Sequence, residues 1–341
     1  MERHTLENIA RALVAPGKGI LAADESLPTM ERRLAQVGMT STEENRRAWR
    51  EVLFTTPGIG QYLSGVILFA ETLRHKTATG KSLVDVLSHQ GIIPGVKVDE
   101  GAQPLSGSPD EQVSEGLDGL RGRLQRHAEM GAQFTKWRAA IRIGRSIPTD
   151  YCLRANAHAM ARYAALSQEV GLLPIVEPET LMDGDHDIER CAEVTEAALH
   201  YLVRELVDQK VHLEGLLVKV NMVLSGRDAP YRAGPEEVAL ASLRTYKRTI
   251  PAAVPGIVFL SGGQEEVEAT ANLNAIARRI DETVPWQLTF SYSRALEMEP
   301  LEAWAREPQN ALKAQQVFLR RARLVSAARE GRYTPDMEAA A

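Results

Sequence analysis

The hydrophobic positions of the chain form short apolar runs of strand length, separated by longer charged stretches in which apolar residues recur with helical spacing. Most runs are apolar on both faces, which is typical of buried parallel strands. Because an amphipathic helix pattern lies between successive runs, the chain reads as about eight strand–helix units. The predicted strand runs are 19–24, 65–72, 92–99, 133–141, 172–179, 215–224, 256–263 and 286–294.

Helix start and stop signals delimit the stretches between these runs. The sequence Ser41-Thr-Glu-Glu44 has the pattern of a capping box and predicts the start of a helix. Pro148 precedes a predicted helix that stops at Gly171, and Asp187 is the predicted cap of the helix that follows. A further helical pattern continues to about residue 330.

This alternation predicts an α/β protein with a single (β/α)8 TIM barrel, in one domain that spans residues 1–341. A doubly wound sheet is the alternative. Even strand spacing and the lack of a polar linker favour the barrel. Residues 331–341 carry weak structure signals, and we expect a short mobile tail there.

Nearly every apolar run ends in charged or hydroxylated residues. In five runs they are spaced about two apart, so their side chains share one strand face. In a barrel this face can line the interior at the C-terminal rim, where active sites form. Because buried charges are costly unless paired, several charges of both signs indicate a functional site. The polar ends are Asp24, Glu71, Lys97 and Asp99, Lys136 and Arg138, Glu177 and Glu179, Lys219 and Asn221, Ser261 with Gly262 and Gly263, and Ser291 with Arg294.

Lys219 lies in the most apolar setting of these charged residues, since leucine, valine and methionine flank it in its strand. Desolvation and a second cation such as Lys136 both lower the pKa of a lysine, and the neutral amine is the form that attacks a carbonyl. The alternative is a lysine that extends to the rim or pairs with a glutamate. Glu177 and Glu179 on a neighbouring strand favour the catalytic interpretation, because Schiff-base chemistry needs an acid and a base.

The seventh and eighth runs indicate an anion site. Gly262 and Gly263 follow Ser261 directly after a strand, where bare backbone N–H groups can approach an anion. The loops after strands seven and eight are the recurrent phosphate site of this fold, and Arg294 adds a bidentate cationic contact. Taken alone, a Ser-Gly-Gly sequence is better explained as a simple turn.

Composition narrows the class of protein. The chain has 341 residues, 40 Lys+Arg and 45 Asp+Glu, and a formal net charge of −5, which argues against general nucleic-acid binding. No apolar run is long enough to cross a bilayer, so we expect no membrane association. Cys152 and Cys191 have no disulfide or metal-ligand spacing, which fits a reducing, cytoplasmic compartment.

No metal or cofactor is predicted. The eight histidines show no ligand spacing. Residues 17–22 match a dinucleotide-binding pattern, but a helix precedes them and a strand follows, which is the reverse of the required order.

Ten short motifs lie in one order along nearly the whole chain. They are GKGILAADES (17–26), TEENRR (42–47), GVILFAETL (65–73), VKVDEG (96–101), KWR (136–138), IVEPE (175–179), DGDHD (183–187), LEG with LLVKVNMV (213–223), FLSGGQ (259–264) and FSYSRAL (290–296). Together they resemble the class I (Schiff-base) fructose-1,6-bisphosphate aldolase family. The resemblance implies a metal-independent lyase on a (β/α)8 barrel. It implies reversible cleavage of fructose 1,6-bisphosphate to dihydroxyacetone phosphate and glyceraldehyde 3-phosphate, in glycolysis, gluconeogenesis or related sugar-phosphate pathways.

The resemblance also implies a role for each matching residue. Lys219 matches the lysine that attacks the C2 ketone, and Glu177 matches the acid/base for carbinolamine dehydration, with Glu179 beside it. Asp24 matches the aspartate that takes the C4 hydroxyl proton, and Lys136 matches a lysine that assists near C4. The implied C1-phosphate residues are Ser261, Gly262, Gly263, Ser291 and Arg294, and those near the other phosphate are Arg33, Lys97 and Arg138.

Some positions depart from the family pattern. Val220 stands where the family usually has Pro, Ser293 stands in place of a Gly, and Leu27-Pro28 replaces a Thr-Gly. The animal enzymes end in a terminal tyrosine that assists proton transfer, whereas the last tyrosine here is Tyr333. We therefore expect Glu177 or a water molecule to protonate the enamine.

Two alternatives stay open at this point. Another Schiff-base barrel, such as a transaldolase or a deoxyribose-phosphate aldolase, shares the nucleophile, although two cationic clusters favour a bisphosphate. A non-catalytic scaffold on the same barrel would be expected to lack the nucleophile or the acid, and this chain has both. The expected partner is the sugar bisphosphate, and the family suggests a homo-oligomer, with a tetramer as one form.

Overall fold

The computed structural model describes residues 3–339. Within them, the eight predicted apolar runs all form strands, and one further hairpin is present. The strands are β1 (Gly19–Ala23), β2 (Leu63–Leu68), β3 (Ile93–Lys97), β4 (Gly101–Leu105), β5 (Ser108–Glu115), β6 (Phe134–Ile141), β7 (Leu173–Thr180), β8 (Leu217–Val220), β9 (Gly256–Phe259) and β10 (Gln287–Tyr292).

Eight of these strands close into a parallel barrel. Its order is β1, β2, β3, β6, β7, β8, β9 and β10, and β10 pairs with β1 to close the ring. The prediction of a (β/α)8 barrel is therefore confirmed. The assignment of residues 1–341 to one domain stays a prediction.

The helices lie between the barrel strands as the periodicity predicts. They are α1 (Arg3–Leu13), α2 (Leu27–Gln36), α3 (Glu43–Phe54), α4 (Leu83–His89), α5 (Leu120–Glu129), α6 (Asp150–Glu169), α7 (Ile188–Asp208), α8 (Pro235–Thr249), α9 (Glu266–Ala277), α10 (Arg294–Arg306), α11 (Ala311–Arg329) and α12 (Asp336–Ala339). Short 3-10 turns lie at Ile59–Gln61, Thr72–Arg74 and Leu213–Gly215.

The caps test the helix boundaries in detail. Asp187 caps α7 as predicted, because its carboxylate accepts a hydrogen bond from the backbone N–H of Arg190 at 2.8 Å. The cap of α3 lies one residue later than predicted, since Thr42, not Ser41, accepts the N–H of Asn45 at 3.1 Å. Only Ser41 has a glutamate three residues on, so the capping-box pattern favours Ser41, whereas the backbone geometry selects Thr42.

The antiparallel hairpin of β4 and β5 was not predicted. The strand β5 has the sequence SPDEQVSE, in which only Glu111 and Ser114 are buried. Because no apolar run marks it, hydrophobic periodicity alone gives no signal for this element.

The barrel interior has an apolar lower layer beneath a polar upper layer. Side chains alternate along β7, so Leu173 and Ile175 share a face with Glu177 and Glu179. The helix α1 packs its apolar face against the lower layer and closes the N-terminal end of the barrel. This lower cluster comprises Leu6, Ala10, Leu13, Val14, Ile20, Ala22, Ile67, Phe134, Leu173, Ile175, Leu217 and Val258.

The C-terminal segment packs against the barrel helices as far as residue 339. The side chain of Tyr333 is 5% exposed, and its backbone N–H donates to Asn274 at 3.0 Å. Glu338 pairs with Arg321 of α11 at 2.7 Å. The expected mobility of residues 331–341 stays a prediction, and residues 340 and 341 lie outside the described part of the chain. No helix within residues 3–339 is long and apolar enough to cross a membrane.

Candidate active site

The thirteen residues predicted for the site all line one cleft at the C-terminal rim of the barrel. The cleft has a volume of about 570 Å³, which is within the range of small-molecule sites. It brings together Asp24, Arg33, Lys97, Lys136, Arg138, Glu177, Glu179, Lys219, Ser261, Gly262, Gly263, Ser291 and Arg294.

Parallel pairing explains why these residues meet. Lys97 of β3 is directly across from Lys136 of β6, and Arg138 is across from Glu177 of β7. Lys219 lies in β8, the next strand around the ring. Since neighbouring strands run in the same direction, their polar C-terminal ends all lie at one mouth.

A buried charge cluster forms the centre of the cleft. The Nζ of Lys136 lies 2.8 Å from Oδ2 of Asp24 and 2.7 Å from Oε2 of Glu177. The Nζ of Lys219 lies 3.0 Å from Oε1 of Glu177. Glu177 therefore contacts both ammonium groups, one with each oxygen.

Lys219 is 3% exposed, and burial lowers its pKa below the usual value for a lysine. The Lys136 ammonium lowers this pKa further, while Glu177 and Asp24 oppose the shift. The predicted environment, with desolvation and a second cation, is present. Lys219 also pairs with a glutamate, as the alternative interpretation required, and the pairing places a proton acceptor beside the amine.

The other three charges are held in their ionised forms. Burial opposes ionisation of Asp24, but Lys136 and Lys219 outweigh it and lower its pKa to about 2. Burial also opposes the charges of Glu177 and Lys136, and opposite charges again prevail, lowering the pKa of Glu177 and raising that of Lys136. The cluster therefore combines stable carboxylates with one amine that loses its proton readily. Such a combination suits amine attack on a carbonyl followed by proton transfer.

The loop after β9 forms an anion pocket with the end of β10. A Cβ at Gly262 would lie 2.8 Å from Oε1 of Glu179, so any larger residue there would require the Glu179 carboxylate to move. Gly263 has φ +81°, a left-handed conformation that favours glycine. The hydroxyl of Ser291 is buried without a hydrogen-bond partner among residues 3–339, so it is available to a ligand. Arg294 is held by the carbonyl of Gln264 at 3.0 Å.

The three remaining cations lie on different sides of the cleft. Lys97 binds the carboxylate of Asp99 at 2.5 Å, and Arg138 pairs with Glu179. Arg33 donates to the hydroxyl of Ser293 at 2.9 Å, which places it beside Arg294. We expected Arg33 to lie opposite the Ser-Gly-Gly pocket, and its contact places it on the same side.

Three polar strand-end residues do not line the cleft, namely Glu71, Asp99 and Asn221. Glu71 pairs with Arg46 of α3 at 2.6 Å. Asn221 is buried and accepts the backbone N–H of Thr180 at 3.0 Å, so it supports the end of β7.

A second charge cluster behind the cleft was missed by sequence analysis. Glu25 pairs with Arg33 and Arg50, and both arginines approach Glu297 of α10. A signal existed for one member, because Arg50 interrupts the apolar face formed by Trp49, Val52 and Leu53 in α3. The partner in α10 lies 247 residues away and gives no such signal.

Residues 3–339 contain no group of three or more His, Cys, Asp and Glu side chains arranged to hold a metal ion. The metal independence expected from the sequence stays a prediction.

Comparisons with known proteins agree on one family. A family model described as fructose-bisphosphate aldolase class-I matches residues 5–341. A probable fructose-bisphosphate aldolase class 1 of Xanthomonas campestris is 52% identical over 95% of this chain and 96% of its own length. The cytosolic fructose-bisphosphate aldolase 4 of Arabidopsis thaliana is 51% identical over 98% of this chain and 85% of its own length. The solved Plasmodium falciparum fructose-bisphosphate aldolase, in complex with TRAP and an inhibitor, superposes with a TM-score of 0.95 at 43% identity, over 97% of this chain and 96% of that one.

Proposed function

The chain belongs to the class-I fructose-bisphosphate aldolase family, and we propose that Lys219 is the amine that forms the Schiff base with its substrate. Its activity is that of a lyase, the reversible cleavage of fructose 1,6-bisphosphate. The observation that carries the proposal is the buried Lys219 ammonium, whose pKa is lowered by burial and whose Nζ lies 3.0 Å from Glu177.

The first half of the reaction forms the Schiff base. Neutral Lys219 attacks the C2 ketone, and the carbonyl oxygen takes up a proton from solvent to give a carbinolamine. Glu177 accepts a proton from the nitrogen and returns one to the departing hydroxyl, so water leaves and an iminium remains. Because Glu177 is ionised at rest, it starts the cycle as the base.

The second half breaks the C3–C4 bond. Asp24 removes the proton of the C4 hydroxyl, the C4–O bond becomes a carbonyl, and the C3–C4 electron pair moves into the iminium to give an enamine. Asp24 is suited to this role because its pKa of about 2 leaves it ionised at neutral pH. The Nζ of Lys136 lies 2.8 Å from Oδ2 of Asp24. From this position its positive charge stabilises the negative charge that develops near C4.

Phosphate binding is assigned to the two sides of the mouth. Ser261, Gly262, Gly263, Ser291 and Arg294 bind one phosphate, and the unpartnered Ser291 hydroxyl supports this assignment. Lys97 and Arg138 bind the other phosphate. Arg33 joins the first group, since it contacts Ser293 next to Arg294.

The enamine is protonated by Glu177 or by a water molecule. Tyr333 is not among the residues that line the cleft, and its hydroxyl bonds to Glu338 at 3.0 Å. If Tyr333→Phe selectively abolished exchange of the C3 proton of dihydroxyacetone phosphate, this assignment would be wrong.

Borohydride trapping tests the nucleophile directly. The protein is incubated with fructose 1,6-bisphosphate, reduced with borohydride and mapped by mass spectrometry. We expect one adduct, on Lys219. The matched variants are Lys219→Met, which should give no adduct, and Lys210→Met, which should give the full adduct because Lys210 lies outside the cleft. An adduct on another lysine would overturn the assignment.

Assembly and location are proposed as well. We propose a homo-oligomer, with a tetramer as one form, as the resemblance to the family implies. The name of the cytosolic Arabidopsis relative supports a cytoplasmic location. Light scattering coupled to gel filtration measures the mass of the assembly, and a monomer mass at micromolar protein concentration would contradict the proposed homo-oligomer.

A further inference from the structure

Two carboxyl groups and two guanidinium groups are packed together directly behind the anion pocket. We call Glu25, Arg33, Arg50 and Glu297 the rear cluster. Glu25, Arg50 and Glu297 are buried and Arg33 is half-buried. Of the four, Glu25 and Arg33 line the cleft. The four residues come from the loop after β1 and from α2, α3 and α10, so folding alone brings them together.

The two carboxyl groups are not equivalent. Glu25 makes the closest ion pairs, one with Arg33 and one with Arg50. Glu297 is reached only by longer contacts through Oε2, at 3.3 Å from Arg50 and 3.7 Å from Arg33, with Trp49 Nε1 also at 3.3 Å. Its other oxygen, Oε1, is buried and no donor among residues 3–339 reaches it. A carboxylate would leave that oxygen unsatisfied, which is costly.

A proton on Glu297 removes this cost. The two carboxyl groups are neighbours, because both contact the guanidinium groups of Arg33 and Arg50. Two carboxylates repel, whereas a neutral carboxyl donates its O–H to a neighbouring carboxylate. With Glu297 neutral, the charges of the rear cluster are two positive and one negative.

We propose that Glu297 is a positioning residue that keeps its carboxyl protonated, so that the rear cluster holds one net positive charge and Arg33 presents it to a substrate phosphate. The inference rests on the proposed phosphate role of Arg33. Ser293, next to Arg294, links the rear cluster to the anion pocket. Its hydroxyl accepts a hydrogen bond from Arg33 at 2.9 Å and donates one to Glu25 at 3.3 Å. Through these contacts the rear cluster fixes the guanidinium beside Arg294.

The direction of the pH effect follows from the surroundings of Glu297. Burial and the Glu25 carboxylate raise the pKa of Glu297 to about 8, while Arg50 and Arg33 oppose the shift. The same arginines lower the pKa of Glu25 to about 2, against burial. Glu297 is therefore neutral at pH 7 and loses its proton as the pH rises through 8. The rear cluster then becomes neutral overall, and phosphate binding weakens.

Hexitol 1,6-bisphosphate is the appropriate probe, because its C2 alcohol cannot form a Schiff base. We would measure its dissociation constant by calorimetry from pH 7 to pH 9.5 at constant ionic strength. Loss of the Glu297 proton should raise the dissociation constant of the wild type about fivefold. This is the effect expected when one unit of positive charge is lost a few ångströms from the phosphate under near-aqueous screening. The rise for Glu297→Gln should be about fivefold smaller than that of the wild type, because loss of the Lys219 proton is common to both proteins, and the variant should bind more tightly than wild type at pH 9.5. The control Glu302→Gln, on the same helix but paired with Arg306, should follow the wild-type curve.

A second readout is independent of ligand. Infrared difference spectra of the free protein should contain the C=O stretch of a neutral carboxyl that disappears above pH 8 and is missing in Glu297→Gln. A pH-independent wild-type constant, a Glu297→Gln variant with the wild-type slope, or an unchanged infrared band would each overturn the inference while leaving the proposed function intact. If the probe bound at no pH, the phosphate assignment itself would fail, and this inference with it.

Discussion

Replacing Lys136 by Met should destabilise the fold as well as impair catalysis. Methionine keeps much of the apolar stem but removes the charge that lies 2.8 Å from Asp24 and 2.7 Å from Glu177. The pKa of Asp24 is lowered from 3.8 to about 2, and at 1.36 kcal/mol per unit this corresponds to about 2 kcal/mol of stability, most of it from Lys136. Glu177 loses its attraction to Lys136 as well. We therefore expect the free energy of unfolding to fall by about 3 kcal/mol, which is the usual cost of removing one partner of a buried ion pair.

The sign of the pH dependence provides a second measurement. Since the folded-state pKa of Asp24 lies below its unfolded value, its contribution is complete above about pH 4 and is lost as the pH falls towards 2. Urea unfolding at several pH values should show this loss in the wild type and much less of it in Lys136→Met. A double-mutant cycle with Asp24→Asn should give a coupling of about 2 kcal/mol.

A surface pair of the same length is the control. Lys313 and Glu307 also lie 2.8 Å apart, but both side chains are about half exposed. Lys313→Met should therefore change the free energy of unfolding by less than about 1 kcal/mol. If Lys136→Met were no more costly than Lys313→Met, or if the coupling to Asp24 were near zero, our account of the buried cluster would be refuted.

Three further predictions address other parts of the structure. Arg294→Ala should raise KM for fructose 1,6-bisphosphate about tenfold or more, because it removes a charged hydrogen-bond donor, and Arg294→Lys should restore part of the loss; an unchanged KM in steady-state kinetics would contradict the assignment. Thr42→Ala should lower the free energy of unfolding by about 1 kcal/mol in urea titrations, while Ser41→Ala should change it little; the reverse order would restore the cap first expected from the sequence. Prolonged EDTA treatment should leave kcat unchanged, and loss of activity that zinc restores would exclude a metal-independent mechanism.

The barrel and the charged centre of the site could be predicted from sequence for a physical reason. A parallel strand buried on both faces must be apolar, so a polar residue within it stands out. Lys219 between Val218 and Val220 is such a residue. Since all strands of a barrel point the same way, polar residues at strand ends converge without any knowledge of the tertiary structure.

The parts that could not be predicted depend on contacts between helices. Glu297 lies in a helix of ordinary amphipathic character, and nothing in its neighbours along the chain indicates Glu25 or Arg50. The position of Arg33 depends on its contact with Ser293, which is 260 residues away. Hydrophobic periodicity specifies which face of a helix is buried but not which helix covers it.

Closure of the barrel floor by α1 has a consequence for the order of events during turnover. The apolar layer that includes Leu13 and Phe134 blocks the N-terminal end of the barrel. Substrate, water and both products must therefore pass through the C-terminal mouth. If Lys219 is the Schiff-base amine proposed above, the dihydroxyacetone phosphate fragment stays bound to it after cleavage, and the aldehyde fragment leaves first. Water that hydrolyses the remaining adduct then enters through the same opening. The proposed covalent bond and the single opening together give an ordered release of the two products.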